Sequence, residues 1–214
     1  MAQKRPRQTR ERILQTALEL YNKFGEHTVA ATSIAFEMGI SPGNLYYHYR
    51  SKDDIVADLF ASFRREIETT LAAPDQRLPT AEDCWLFLHL VFEAIAKYRF
   101  IYRDLNDLIS RYHLIEVQFR RILAHKQRIA EKILAGLVVN KQMRASPAEV
   151  SRLALDMTMM MTYWLSFEYA RDPRADEDGT ALARGAFHVM SLAAPYLEPR
   201  ERALFDHLAK RYVS

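Results

Sequence analysis

A single cysteine, Cys84, stands in the 214 residues, which excludes an intramolecular disulfide and fits a reducing compartment. No His/Cys set has the spacing of zinc ligands, so no metal is expected, and no cofactor is expected either. Glycine is scarce, at six residues, and alternating runs of Val, Ile and Thr are missing, which removes the signature of a sheet. The apolar run from Met157 to Phe167 is eleven residues long, against the roughly 20 that a membrane-spanning helix needs, so no membrane partner is expected. Met1 to Arg12 is basic and polar, without the apolar middle of a signal peptide, and the expected location is the cytoplasm. Enzyme signatures are missing too. There is no Gly-x-Ser-x-Gly elbow, phosphate loop, His-Glu-x-x-His or Rossmann glycine set, and Asp104, Asp107 and Glu116 read as helix surface charges, so the chain is not expected to be an enzyme.

What remains is a composition that can fold: 49% hydrophobic and 27% charged residues, enough to bury a core. Apolar residues recur every three or four positions almost throughout, which predicts an all-α chain. The formal net charge is only +3, but its placement is uneven. Lys4, Arg5, Arg7, Arg10 and Arg12 stand against Glu11 alone, a net of +4 in the first twelve residues, so the rest of the chain sums to −1. Such an arm is either a solvated tail or a tether to phosphate.

Local signals divide the helices. Ile13, Leu14, Ala17, Leu18, Leu20, Tyr21 and Phe24 give a helix over 10–24 that stops at Gly25, and a second covers about 30–38 and stops at Gly39. Ser41 then offers an N-cap and Pro42 a first helical residue, while Ser51 with Asp54 opens another helix to about Leu71. The helix between them has room for about two turns. Further helices are expected over about 81–97, capped by Thr80 and Asp83, over 99–110, over 113–140, over 147–171 with Ser146 and Glu149 as a capping box, over 180–196, and after Pro199.

Two short helices joined by a turn containing Gly make a helix-turn-helix, whose second helix can enter the major groove of double-stranded DNA. The stretch "SPGNLYYHYRSKDD" suits that role. Only Leu45 and Tyr49 need pack inward, which leaves Asn44, Tyr46, Tyr47 and His48 for a polar surface, and Pro42 and Gly43 allow close backbone approach.

With "TRERILQTALELYNKFG" and "IAFEMGISPGNLYYHYRSKDDI" in this order, residues 10 to about 60 resemble the DNA-binding domain of the TetR family of bacterial transcriptional regulators. The resemblance implies a homodimer. Each subunit would carry a three-helix DNA-reading domain over residues 10–51, behind the basic arm of residues 1–9, and a larger helical domain over 52–214 that dimerises and binds a small-molecule effector. It also implies DNA contacts from Thr32, Pro42, Gly43, Asn44, Tyr46, Tyr47 and His48, and a phosphate contact from Lys52. Ala30 and Ala31 depart from the family, which often has Ser or Thr there; the cap of the second helix then falls to Thr28 or Thr32, or is absent. "WLFLHLVFEAIAKYRFIYRDLNDL", with "GISPGNLYYHY", also resembles a subgroup that regulates polyhydroxyalkanoate gene clusters, through about residue 125.

The larger half carries a helix that is apolar almost all round. Leu153, Met157, Met160, Met161, Trp164 and Phe167 form a broad apolar face, and Leu155, Met159 and Tyr163 widen it around the cylinder, so the helix is expected to be covered on several sides, one of them the interior. One side of this helix, with Ala183, Phe187, Met190 and Ala194, is expected to build a dimeric four-helix interface. Candidate effector contacts are Trp85, Phe92, Tyr102, Phe119, Met157, Met161 and Trp164, with His89 and Arg103 as polar anchors. Each also reads as core, or, for Arg103, as an ion pair with Asp107 one turn on. Together they favour an apolar, acyl-like effector of a repressor. The alternative is a helix-turn-helix protein that activates or acts as a scaffold through partners, without a small ligand.

Overall fold

The computed structural model describes residues 4–72, 78–172 and 180–213. It is helical throughout: α1 (Lys4–Phe24), α2 (Ala31–Glu37), α3 (Pro42–His48), α4 (Lys52–Thr70), α5 (Ala81–Lys97), α6 (Arg99–Arg103), α7 (Leu105–Arg111), α8 (His113–Val139), α9 (Pro147–Arg171), α10 (Thr180–Ala193) and α11 (Pro199–Val213). Among the described residues the only β-type pairing is an isolated bridge between Met143 and Leu197. None of their helices is long and apolar enough to cross a membrane, and they hold no His/Cys/Asp/Glu group suited to a metal ion.

Helix ends follow local chemistry. Gly25 (φ 87°) and Gly39 (φ 65°) take the left-handed conformation that ends α1 and α2. Reciprocal side-chain caps open α4, α5 and α9. Asp54 N–H donates to Ser51 Oγ at 3.2 Å while Ser51 N–H donates to Asp54 Oδ2 at 3.0 Å. Thr80 with Asp83 and Ser146 with Glu149 repeat the arrangement. At α2 the cap is absent: Ala30 has no side-chain bond, and Thr28 Oγ1 instead donates back to the carbonyls of Phe24 and Gly25 at 2.7 and 3.2 Å.

Three elements differ from the sequence expectation. α1 reaches back to Lys4, so part of the basic arm is helical. The helix expected over 99–110 is divided at Asp104 (φ −105°, ψ 21°) into α6 and α7, and beside the break Arg103 bonds Asp104 and turns its guanidinium to the end of α1. The last turn before Leu197 tightens to a 3-10 helix, Ala194–Tyr196, at Pro195.

Contacts divide the chain into two compact units: Met1–Arg65 with Tyr98–Val117, and Glu66–Lys97 with Gln118–Ser214. The first therefore holds α1 to α3, most of α4, and α6 and α7. Its core is Ile13, Ala17, Tyr21, Ile34, Leu45, Val56 and Phe60, continued by Phe63 against the rings of Tyr98 and Tyr102, each 5.6 Å away. In the second unit α10 packs on α9 and α5. Gly185 makes that packing close: a Cβ there would sit 2.7 Å from Phe92 Cε1 and from Trp164 Cδ1.

Candidate nucleic-acid interface

α3 is short, and its two faces are sharply divided. Ser41 Oγ accepts from Asn44 N–H at 3.2 Å, and Pro42 occupies the first turn, where its missing N–H leaves no bond unmade. Leu45 is fully buried and Tyr49 is 2% exposed, and these two pin the helix. Pro42, Gly43, Asn44, Tyr46 and Tyr47 face outward, Tyr47 at 80% exposure, with the half-buried His48 ring 5.1 Å from that of Tyr47. A Cβ on Gly43 would meet only Ser41 Oγ, at 4.0 Å, so the fold itself does not demand glycine there. Thr32 is exposed on α2, on an open groove of about 670 Å³ that Leu20, Phe24, Val29 and Phe36 also line.

Tyr49 packs inward as its spacing suggests, but its hydroxyl carries a link the spacing did not signal. It donates to Asp58 Oδ2 at 2.9 Å and accepts from Arg10 Nε at 3.0 Å, and Arg10 also bonds Asp58 at 2.6 Å. The end of α3 is thereby tied to α1 and α4, and one cation of the basic arm is used inside the unit. Burial, with the Asp58 bond, pushes the Tyr49 hydroxyl up to about 12, so it stays a neutral donor.

Lys52 occupies a more constrained position than a free phosphate ligand. Its ammonium donates to the Glu26 carbonyl at 2.6 Å and pairs with Glu26 Oε1 at 2.9 Å, leaving its side chain 24% exposed. Glu26 is fully buried. It also receives Arg111 on Oε2 and the Tyr112 hydroxyl on Oε1 at 3.0 Å. Burial pushes the Glu26 carboxyl up, but the bonds from Arg111, Lys52 and Tyr112 outweigh it and hold the group below its ordinary value. Arg111 in turn holds Asp107 at 2.6 Å, and Tyr112 reaches Asp53 at 3.3 Å.

The candidate effector residues fall in both units. Tyr102 and Arg103 belong to the first unit. Tyr102 is fully buried, and Arg103 donates to the carbonyls of Asn22 and Tyr21, both at 3.1 Å, and to Asp104. Arg103 thus closes the end of α1, and Asp107 takes Arg111 as its partner instead. In the second unit Phe92 and Trp164 meet at Gly185, and Trp164 Nε1–H donates to the Ala181 carbonyl at 2.6 Å. Trp85 stacks on Phe205, with His89 tilted against it. Phe119, Met157 and Met161 are buried.

Two residues that pattern reading passed over are buried charges. Lys126 is fully buried on α8, one turn from Ile122 and from Ala130, and burial lowers its ammonium to about 7. Glu168 of α9 is 2% exposed between Arg171 and Arg184. On α9, Leu153, Met157, Met161 and Trp164 are buried, while Phe167 is exposed and joins Leu155, Met159 and Tyr163 in one row at four-residue spacing. Met190 and Ala194 are buried within the chain, Met190 beside Cys84, and so do not belong to an exposed face.

The chain matches two family models: "Bacterial regulatory proteins, tetR family" over residues 13–59, and "Bacterial transcriptional repressor" over residues 62–205. A TetR-family transcriptional regulator from Marinobacter aquaeolei VT8 is 31% identical in sequence, with a TM-score of 0.85 over 95% of this chain and 98% of that one. The HTH-type transcriptional regulator UidR of Escherichia coli is 35% identical over 68 residues, 28% of this chain and 35% of UidR, so the chain spans about a third of that relative. A putative transcriptional regulator from Saccharomonospora viridis, in complex with choline, shares the fold at a TM-score of 0.68 and 16% identity, over 86% of this chain and 94% of that one.

Proposed function

The chain belongs to the TetR family of bacterial transcriptional regulators, and from that premise we propose that it is a homodimeric repressor released from a palindromic operator by a small apolar effector. The observation that carries this reading is the division of α3. Leu45 and Tyr49 anchor the helix, so Asn44, Tyr46 and Tyr47 stand free at its surface. An Asn amide offers the paired donor and acceptor that an adenine edge requires, and tyrosine rings fit thymine methyls while their hydroxyls reach phosphate. Phosphate contacts then set affinity and base contacts set specificity.

The dimer is supported by α9, where Leu155, Met159, Tyr163 and Phe167 are each 43% to 58% exposed along one face. A second copy would remove that row from water. The effector is supported by the apolar character of Phe92, Met157, Met161 and Trp164. An acyl-type compound suits these side chains better than a sugar. Release is then a population shift. A ligand that binds better when the reading heads are off their half-site spacing weakens operator binding by its differential affinity and no more.

The test is to mix purified protein with sheared genomic DNA at near-physiological salt and sequence what is retained. Enrichment of an inverted repeat is expected. Uniform retention that vanishes as salt rises would mean phosphate contact without readout and would sink the proposal.

A further inference from the structure

Glu26 is fully buried directly after Gly25, in the turn that leads from α1 to α2. A buried carboxylate must be paired, and this one draws its partners from two directions. Lys52 comes from the first turn of α4, while Arg111 and Tyr112 come from the junction of α7 and α8. Lys52 and Tyr112 share one oxygen, Oε1, at 2.9 and 3.0 Å, and Arg111 takes the other. Asp53 and Asp107 extend the cluster, Asp53 through Tyr112 and Asp107 through Arg111, with His27 also acting on Asp107.

We infer that Glu26 is a positioning residue for DNA binding, dividing its charge between Lys52 and the α7–α8 junction and so setting how far the Lys52 ammonium is available to a phosphate. This rests on the DNA-binding role proposed above. Lys52 is a quarter exposed, so one side of it can meet a phosphate while the other faces Glu26. When Arg111 is in place, it neutralises much of the Glu26 charge. When Arg111 is withdrawn, Lys52 becomes the principal counter-charge of a buried carboxylate and is drawn away from DNA. α8 continues from this junction into the second unit, so a displacement of its first turn acts on Lys52 through one side chain. The device needs no rearrangement of α2 or α3.

The test is a double-mutant cycle on duplex DNA. Arg111→Met is expected to weaken binding about fivefold or more at moderate salt and to lower the salt slope by about one, the signature of one lost phosphate contact. In a Lys52→Met background the same change is expected to do nothing further. Arg111→Lys, which keeps the charge, should restore most of the affinity. Tyr112→Phe removes only one bond to Oε1 and serves if Arg111→Met fails to fold; a two- to threefold loss, again absent without Lys52, is expected. An equal loss in both backgrounds, or no loss from either variant, overturns the inference. Phosphate contacts exist on any duplex, so the cycle can be read even on non-specific DNA. A wild-type protein without sequence preference would therefore overturn the proposed function and leave this test intact.

Discussion

Gly185→Ala adds one methyl group where α10 crosses α5 and α9, and its outcome tells whether the packed rings of Phe92 and Trp164 are rigid or yielding. Two effects oppose each other. Replacing a helical glycine by alanine favours the helix by about 1 kcal/mol. The new Cβ, however, would lie 2.7 Å from Phe92 Cε1 and 2.7 and 2.8 Å from Trp164 Cδ1 and Nε1, closer than non-bonded carbon atoms tolerate. Both rings are buried, at 3% and 7% exposure, and Trp164 is fixed by its bond to the Ala181 carbonyl. Moving such rings costs about 1–3 kcal/mol, as overpacking does elsewhere. The net is a destabilisation of about 1 kcal/mol, or a fall in Tm of about 2–4 °C for a chain of this size. Thermal unfolding followed by circular dichroism measures it. A raised Tm, with the helix gain alone expressed, would refute the reasoning and show that the two rings yield to the new methyl group without cost.

Other predictions concern sites far from that crossing. Lys126→Met removes an ammonium whose burial lowers it from an ordinary 10.5 to about 7. Between those values the unfolded state binds the extra proton, so wild-type stability rises with pH across that window and the burial cost is fully present below pH 7. The stability of the variant relative to wild type should thus be greatest near pH 7 and decline toward about pH 10; urea unfolding at the two pH values checks it, and a pH-independent difference contradicts it. Ser146→Ala removes the cap of α9 and is expected to lower stability by about 1 kcal/mol in the same urea assay. Met159→Glu places a charge in the exposed row of α9. It should yield a folded monomer in sedimentation experiments, whereas an intact dimer would remove that row from the interface.

Much of this architecture was legible because it is local. Ser51 with Asp54, Thr80 with Asp83, and Ser146 with Glu149 lie three residues apart, and Gly25 and Gly39 announce their own backbone conformation. The faces of α3 were legible for the same reason, since Leu45 and Tyr49 are one turn apart. Long-range pairings were not. Glu26 reads as a solvated loop charge until Arg111, 85 residues on, reaches it. Arg103 has an acid one helical turn away, yet it bonds carbonyls of α1, and Asp107 turns to Arg111. Lys126 hid because a charge in an apolar stripe reads as a gap, although its spacing from Ile122 and Ala130 places it on the buried face.

The central claim is that α3 reads bases. It is tested most directly by the affinity of wild type and Asn44→Ala for the selected inverted repeat and for a scrambled duplex, at one near-physiological salt concentration. Loss of a bidentate base contact is worth about 1–3 kcal/mol, so the ratio of the two affinities is predicted to fall about tenfold, with scrambled-duplex binding little changed. A ratio that survives the substitution would contradict the assignment of Asn44, and with it the reading of α3 as the helix that recognises sequence.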